Sequence, residues 1–215
     1  MVADLREKET TWGSHLPVLT AVLEVLRPQS ALECGCGIFS TPLLRRVPRL
    51  HSIEHSAGWA RAVRGRYPPT PGHSWTVERV PTTCSKPAPE VDPKRVETIQ
   101  AFYRALALEE APVDLLFVDT FAACRVPAVL ALGPKAQWIV VHDLEPPGRE
   151  HYGWPRLDAF FEDWKQYVYR PPHGSAWTGL ASREPLDLDN LSHAALHEAR
   201  RLWGQDVRFE EGWYG

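Results

Sequence analysis

The stretch ALECGCGIFSTPLL, residues 31–44, combines an acid, a glycine turn and the beginning of a helix. Gly35 and Gly37 let the backbone turn sharply and let a ligand lie against it, because no Cβ stands in the way. The helix that follows offers free amide donors, and Glu33 adds an acceptor beside them. A carboxylate at this place repels a pyrophosphate but stabilises an ammonium or sulfonium group. The turn therefore predicts a site for a cationic ligand.

A second acid, Glu54, ends the apolar segment LHSIE about 20 residues after the glycines. From that position a carboxylate can accept hydrogen bonds from both hydroxyls of a ribose. The alternative is a strand-end acid that pairs with Arg61 or Arg64. The first interpretation adds a ribose to the predicted ligand.

Candidates for proton transfer follow two later apolar runs, which end at Asp119 and at His142-Asp143. A histidine titrates near neutrality and can take a proton from an attacking hydroxyl or amine, while an adjacent acid orients it. His142 and Asp143 are therefore predicted catalytic residues. The alternatives are a half-buried, hydrogen-bonded His142 and an Asp119 that caps the next turn. His15 precedes the first predicted helix, where it either folds over the ligand or serves as a surface or capping residue.

Short apolar runs separated by helix-like segments predict the elements that position these groups. The runs are near-continuous, as expected for strands buried on both faces of a parallel sheet, whose ligands gather at the carboxyl ends of the strands. Strands are predicted at residues 30–34, 50–54, 74–80, 113–119 and 137–142, with a C-terminal hairpin of 166–170 and 176–182. Helices are predicted at 16–26, 41–47, 57–67, 127–132, 155–164 and 189–203.

The length of 215 residues predicts one α/β domain. An N-terminal helix or lid is expected at about 10–27, and a C-terminal helix at about 189–203. A proline-rich loop, 81–93, leads into a helical segment, 94–108, and together they are read as an insertion at about 81–110 that can cover a cleft.

The net charge of −3 is spread over the chain and forms no basic stripe, which argues against a nucleic acid and for a small-molecule substrate. No segment predicts a membrane helix or a secretory signal, so a cytoplasmic protein without a membrane partner is expected. A homodimer is compatible with the sequence. Of the four cysteines, Cys34 and Cys36 stand too close to bridge each other, and Cys84 and Cys124 are isolated. Buried reduced thiols are expected.

Four segments, taken in order, carry a resemblance to a known family. They are ALECGCG at 31–37 with ST at 40–41, SIEH at 52–55, FVD at 117–119 and VVHD at 140–143. This series resembles the class I S-adenosylmethionine-dependent methyltransferases, in particular small members with a GxG...ST first motif, over roughly residues 12–182. Position 39, where the family usually has a third glycine, is Phe39.

The resemblance implies a Rossmann-like, doubly wound α/β fold with a mostly parallel seven-stranded sheet, an antiparallel C-terminal hairpin and helices on both faces. It implies S-adenosylmethionine as co-substrate. By this analogy the amino-acid half lies against Glu33, Gly35, Gly37 and Ser40, the ribose against Glu54, and the methionine moiety against Asp119 and Thr120.

Three residues are candidates for the acceptor side. Trp12 belongs to the predicted lid, and Tyr152 either lines an acceptor pocket or packs in the core. Arg125 either binds an acidic group of the substrate or pairs with a neighbour. Catechol-type methyltransferases hold magnesium with acids at the positions of Asp119 and Asp143. Those enzymes follow the second acid with asparagine, whereas this sequence has Leu144, so no divalent metal is expected.

The favoured function is methyl transfer to a small molecule, most readily to an oxygen. One alternative keeps the cofactor and transfers its aminocarboxypropyl group, which releases methylthioadenosine, as in azetidine-ring-forming or nicotianamine-type enzymes. A second alternative is an NAD(P)-dependent oxidoreductase, although Ser40 occupies the place of the third glycine in GxGxxG and Glu33 lies where pyrophosphate charge would gather. A third is a non-catalytic binding protein.

Overall fold

A computed structural model describes residues 12–77, 93–106, 112–172 and 176–213. Several sequence predictions fall in part or entirely outside these ranges. They are the end of the third strand at 78–80, most of the loop 81–93 with Cys84, and the end of the helical segment at 107–108.

The described residues form one mixed sheet of eight strands in the order β3-β2-β1-β4-β5-β7-β6-β8. The strands are β1 (Ser30–Cys34), β2 (Arg49–Glu54), β3 (His73–Val77), β4 (Val113–Val118), β5 (Ala136–His142), β6 (Lys165–Tyr169), β7 (Thr178–Ser182) and β8 (Phe209–Glu211). The first five strands pair in parallel, and β7, β6 and β8 add antiparallel. The strand order reverses between β1 and β4, which is where open parallel sheets bind their ligands.

The mostly parallel, doubly wound sheet agrees with the fold predicted from the sequence, but it has one strand more than the seven expected. The additional strand β8 pairs with β6 through Phe209, Glu210 and Glu211. Only the first of these residues is apolar, so the segment carries no strand periodicity that a sequence could reveal.

Helices cover both faces of the sheet. They are α1 (Leu16–Ala21), α2 (Ser40–Leu44), α3 (Ala57–Arg66), α4 (Pro93–Ala105), α5 (Ala122–Leu132), α6 (Pro146–Tyr152) and α7 (Leu188–Trp203). A π-helical turn, Val22–Leu26, continues α1 to the end of the predicted first helix. None of the helices in the described parts of the chain is both long and apolar enough to cross a lipid bilayer.

Three helix predictions differ from the structure. The helix predicted at 41–47 ends earlier, at Leu44. The helix predicted at 127–132 begins earlier, at Ala122, with Pro127 in its interior. The helix predicted at 155–164 is a single 3₁₀ turn, Trp154–Leu157, followed by irregular turns, and the regular helix lies before it at Pro146–Tyr152. Pro146 and Pro147 begin this regular helix. Proline suits the first turn of a helix, because the amide donor that it lacks would have no intrahelical partner there.

Alternating side chains of the strands supply two separate apolar layers. In β4, Leu115 and Phe117 pack on the layer that includes α1 and α7, while Leu116 and Val118 pack on the layer that includes α4 and α5. All four side chains are fully buried. This burial on both faces explains the near-continuous apolar runs in the sequence.

The glycine turn after β1 is packed directly against the end of β4. Gly35 has a φ of 92°, and its amide donates to the Ile53 carbonyl at 2.9 Å. The Asp119 amide donates to the Cys34 carbonyl, also at 2.9 Å. A Cβ on Gly35 would lie 2.2 Å from the Asp119 carbonyl oxygen, so this approach requires a residue without a side chain.

Gly35→Ala is expected to lower the free energy of unfolding by about 2–5 kcal/mol, because left-handed backbone strain adds to a steric clash with backbone atoms. Gly65→Ala is the matched control: Gly65 lies in α3 and a Cβ there meets no atom within 4 Å. The control is expected to raise stability by about 0.5–1 kcal/mol, since alanine favours the helix. Urea denaturation of both variants measures the two values, and equal stabilities would contradict the role given to Gly35.

Candidate functional site

A cleft of about 360 Å³ opens at the carboxyl ends of the central strands. Its volume lies within the range usual for sites that bind small molecules. Its lining combines a glycine turn, strand-end polar groups and aromatic side chains, contributed by Trp12, His15, residues 35–40, Trp59, Asp119, His142, Asp143 and Tyr152. The cleft therefore lies at the reversal of strand order, with the turn after β1 on one side and the ends of β4 and β5 on the other.

A buried guanidinium group holds the polar end of the cleft together. Arg125, from α5, donates to Asp119 Oδ1 at 2.8 Å and lies 2.7 Å from Asp143 Oδ2. It also donates to the carbonyls of Thr120 and His142, at 2.7 and 2.8 Å. These contacts join the ends of β4 and β5 through one cation. A buried charge is tolerated only with partners of this kind.

Two further features fix the neighbourhood of this cation. The ring of Tyr152 stacks on the guanidinium of Arg125, with the guanidinium carbon 3.8 Å from the ring centroid. Asp143 has a φ of 63°, a left-handed conformation rare for a residue with a side chain, and its carbonyl accepts from the Trp154 indole at 3.0 Å. Such outliers occur where the surrounding structure imposes them, often at functional sites.

His142 lies among these carboxylates. Its Nδ1 is 3.5 Å from Asp119 Oδ1 and 3.4 Å from Asp143 Oδ1, and its Nε2 is hydrogen-bonded to Ser14 Oγ at 2.7 Å. Burial disfavours the charged imidazole, but the charges of Asp143 and Asp119 outweigh burial, so the pKa of His142 is raised. Burial likewise opposes the charge of Asp119, yet His142 and Arg125 hold the pKa of that carboxyl below its usual value. The arrangement can accept and stabilise a proton on the imidazole.

The pKa of the second histidine of the cleft, His15, is shifted in the opposite direction. Burial, and next the charge of His142, lower the pKa of His15 to about 3, so its ring is neutral. The two rings meet edge to face with centroids 5.0 Å apart, and His15 Nδ1 lies 3.7 Å from Asp119 Oδ2. With only 3% of its surface exposed, His15 has no hydrogen-bond partner on either ring nitrogen among the described residues.

Glu33 lies behind the glycine turn rather than in the cleft. It is completely buried and accepts hydrogen bonds from Ser40 at 2.8 Å, from Thr41 at 2.9 Å and from Ser52 at 2.6 Å. The Thr41 hydroxyl in turn accepts from the Gly37 amide at 3.0 Å. Burial raises the pKa of Glu33 to about 7, against the opposing effect of the hydroxyl donors. Glu33 thus acts on the turn through the residues that follow it.

Glu54 is also directed toward protein groups. Only 2% of its surface is exposed, and it accepts from the amides of Cys36 and Ser56, at 3.2 and 2.7 Å. His55 Nδ1 lies 3.0 Å from Glu54 Oε1, the oxygen that also accepts from the Ser56 amide. These contacts, and not the pairing with Arg61 or Arg64 considered from the sequence, hold the acid at the end of β2.

The structure therefore brings most of the predicted site residues together, but not all. The cleft is lined by nine of them, namely Trp12, His15, Gly35, Gly37, Ser40, Asp119, His142, Asp143 and Tyr152. Four others, Glu33, Glu54, Thr120 and Arg125, are buried behind its wall. Protein donors contact the carboxylate oxygens of Glu33 and Glu54, so direct contact of these two acids with a ligand stays a prediction. Arg125 follows the second alternative and pairs with its neighbours.

Sequence reasoning missed several residues of the site. Trp59 lines the cleft from α3 and donates its indole N–H to the Cys36 carbonyl at 2.6 Å. Phe39, which departs from the family pattern, and Ile38 form part of the same wall. Ser14, for which the sequence predicted no role in the site, is the partner of His142. A tryptophan five residues after a strand-end acid was a usable signal, whereas the Ser14 contact spans 128 positions and had none.

The cysteine prediction is confirmed for the residues described. Cys34, Cys36 and Cys124 are free, buried thiols. Burial raises the pKa of each of them well above its usual value, so they are poor nucleophiles and poor metal ligands.

Comparison with known proteins gives matches at the level of structure. The sequence matches no protein-family model and no curated protein. The N-methyltransferase NodS from Bradyrhizobium japonicum, in complex with S-adenosylhomocysteine, superposes with a TM-score of 0.56 at 13% identity, covering 80% of this chain and 87% of that one. Human methyltransferase-like protein 13, also with S-adenosylhomocysteine, gives 0.56 at 13% identity, covering 90% and 91%. At such identities the likeness concerns the fold.

Between pH 4.5 and 7 the free energy of unfolding is expected to fall by about 3 kcal/mol through Glu33. Below this window both states hold the proton; within it the unfolded chain releases the proton while the folded chain keeps it. Glu33→Gln removes this contribution, so the stability difference between wild type and variant should change across the window. Denaturant titrations from pH 4 to pH 8 measure it.

Glu184→Gln is the control, because Glu184 is exposed and follows Ser182, which pairs with Trp138 toward the amino end of β5, away from the glycine turn. It should follow the wild-type pH profile. A Glu33→Gln profile parallel to that of wild type would show that the buried carboxyl does not titrate in this window.

Proposed function

We propose that this chain, which has the fold of the class I S-adenosylmethionine-dependent methyltransferases, binds S-adenosylmethionine in the cleft and transfers its methyl group to a small-molecule acceptor. The observation that carries the proposal is the position of the cleft. It lies between the glycine turn after β1 and the polar ends of β4 and β5, at the point where the strand order reverses. Both structures compared above contain S-adenosylhomocysteine, the product of that cofactor.

The cofactor is proposed to lie against the exposed backbone of the glycine turn. Gly35 and Gly37 present backbone without a side chain at this wall, and Ser40 and Asp119 contribute polar groups to the lining. The negative charge of Asp119 suits the ammonium group and the sulfonium centre of the methionine moiety. Thr120, buried beneath, takes part through its carbonyl contact with Arg125.

Glu33 and Glu54 have positioning roles in this proposal. Glu33 orders the turn through the hydroxyls of Ser40 and Thr41, and Glu54 holds the Cys36 amide. The contact between Glu54 and the Cys36 amide is long, at 3.2 Å. We propose that a ribose hydroxyl of the cofactor replaces the Cys36 amide at Glu54. This keeps the ribose-binding role that the resemblance implies for Glu54.

The proposed reaction is an in-line displacement at the methyl carbon. A lone pair of the acceptor forms the new bond, the carbon–sulfur bond breaks, and its electrons convert the sulfonium into a neutral thioether. Collinear positioning removes much of the entropic barrier. The proton of the acceptor passes to His142, whose imidazolium is stabilised by Asp119 and Asp143 within 3.5 Å. His15, which is neutral, shapes the cleft beside it.

The acceptor is proposed to be a small molecule with an aromatic or apolar portion and a nucleophilic oxygen. Trp12 and Trp59 are the large apolar side chains with the most exposed surface among the described residues, 57% and 40%, and both line the cleft with Tyr152. Aromatic walls of this kind favour a flat apolar ligand. The fold itself does not choose oxygen, since NodS is named as an N-methyltransferase.

Calorimetry with S-adenosylmethionine, S-adenosylhomocysteine and NAD is expected to show binding of the first two at one molecule per chain and no heat with NAD. Binding of NAD alone would favour the oxidoreductase alternative. Mass spectrometry after incubation with an acceptor then identifies the broken bond. S-adenosylhomocysteine supports methyl transfer, whereas methylthioadenosine would instead support aminocarboxypropyl transfer.

His142→Ala is expected to lower turnover by about 10²–10⁴-fold while cofactor affinity stays within the wild-type range, because a proton acceptor acts on the chemical step. His197→Ala is the control, since His197 lies on α7 with 86% of its side chain exposed. Steady-state kinetics and calorimetry on both variants separate the two effects. Full turnover in His142→Ala would remove His142 from the mechanism.

A further inference from the structure

We propose that His15, Asp119 and His142 form a binding site for one divalent transition-metal ion, with Zn²⁺ as the representative ion. Among the described residues, these three bring one ligand atom each to within 4.8 Å of one another. Two imidazoles with one carboxylate form a donor set that binds zinc or ferrous iron in proteins. The set differs from the pair of strand-end acids considered from the sequence, because its nitrogen ligands come from the segment before α1 and from β5.

The distances between these atoms are close to those of a metal site. His15 Nδ1 lies 3.7 Å from Asp119 Oδ2, and His142 Nδ1 lies 3.5 Å from Asp119 Oδ1. Ligand atoms bound to one zinc ion at about 2.0–2.2 Å in a tetrahedral arrangement are separated by roughly 3.4 Å. With one ligand atom taken from each residue, the three atoms lie within 4.8 Å of one another, so side-chain shifts of about 1 Å bring them around one ion.

His15 is the independent observation that points to a ligand. The ring is 97% buried, yet neither nitrogen has a hydrogen-bond partner among the described residues. Buried polar groups in proteins are nearly always paired, so an imidazole of this kind calls for a missing partner. The ring lines the cleft and points Nδ1 toward the Asp119 carboxylate. A metal ion between them would satisfy the nitrogen.

The surrounding contacts orient the other two ligands. Ser14 Oγ holds Nε2 of His142 at 2.7 Å, which leaves Nδ1 directed at the two carboxylates. Such second-shell hydrogen bonds accompany metal-bound histidines. Arg125 engages Asp119 through Oδ1, and the remaining oxygen, Oδ2, faces His15. The guanidinium is a positive charge near the proposed ion, and Asp143, 2.7 Å from it, offsets that charge.

The same contacts argue against a magnesium site at this place. Magnesium prefers oxygen ligands in an octahedral arrangement. The second nearby carboxylate, Asp143, is held by Arg125 at 2.7 Å, and two of the three available ligand atoms are imidazole nitrogens. Imidazole favours zinc, iron, cobalt, nickel and copper over magnesium.

Three protein ligands leave a coordination position that faces the cleft, because all three residues line it. This consequence rests on the proposed function: an acceptor oxygen bound at that position would lose its proton more readily, since a metal ion lowers the pKa of a coordinated hydroxyl. In the metal-bound form His142 is a ligand and the proton leaves to solvent. In the metal-free form His142 remains the proton acceptor.

The experiment is calorimetric titration of the chelator-treated 215-residue protein with Zn²⁺, and separately with Mg²⁺. One Zn²⁺ per chain is expected, with no heat from Mg²⁺. His15→Ala and Asp119→Asn are each expected to weaken Zn²⁺ binding at least tenfold. The visible spectrum of the Co²⁺-loaded protein provides a second readout, since its absorption intensity separates tetrahedral from octahedral coordination. Circular dichroism confirms that each variant is folded, and where one variant unfolds the other decides.

A double variant, His193→Ala with His197→Ala, is the matched control. These two exposed histidines stand four residues apart on α7, a spacing that also attracts zinc, and their removal should leave the high-affinity binding unchanged. Zn²⁺ binding that is lost in this control and kept in His15→Ala would overturn the proposal, as would a wild-type protein that binds no Zn²⁺. S-adenosylmethionine binding measured on the same samples keeps the two proposals apart. Cofactor binding without Zn²⁺ binding would contradict the metal site alone. Zn²⁺ binding without cofactor binding would contradict the proposed function alone.

Discussion

The polar end of the cleft depends on one buried cation. Arg125 reaches from α5 between the ends of β4 and β5 and contacts the carboxylates of Asp119 and Asp143 within 2.8 Å. Without this guanidinium two acids would stand next to each other in a buried site, where mutual repulsion and loss of water disfavour both charges. The same guanidinium donates hydrogen bonds to the carbonyls of Thr120 and His142. The positions of the strand ends and of their side chains therefore follow from one set of contacts.

This arrangement also determines the charge that a ligand meets. Two carboxylates and one guanidinium leave a single negative charge when both histidines are neutral, and the proton that His142 readily accepts cancels it. A cationic ligand or ion can replace that proton. The proposed sulfonium cofactor and the proposed metal ion thus draw on the same electrostatic property of the cleft.

Much of the fold could be predicted from the sequence because strands buried on both faces leave near-continuous apolar runs. β1 matches its predicted bounds at both ends, and β2, β5 and β6 differ by a residue at one or both ends. The strand β8 could not be found, since Phe209 is its one apolar residue. The helix α6 was hidden by Pro146, Pro147 and Gly148, which are typical of a turn but here begin a helix.

Site residues that lie at strand ends could be predicted from the sequence. Contacts that depend on the direction of a side chain could not be predicted as well. Asp119, His142 and Asp143 follow apolar runs, and the parallel sheet brings such ends together. Glu33 follows the same rule, yet its side chain meets Ser52, its partner in the parallel register of β1 and β2. That register is a property of the sheet and is not written in either segment. The contact of Ser14 with His142 depends likewise on how α1 packs.

The most direct test of the central claim is a crystal structure of the protein grown with S-adenosylhomocysteine. The account predicts electron density for the ligand in the cleft, with its amino-acid portion along residues 35–40 and its sulfur directed toward Asp119 and His142. Density for the ligand elsewhere on the protein, or a cleft filled by the side chain of Phe39 at saturating ligand, would contradict it.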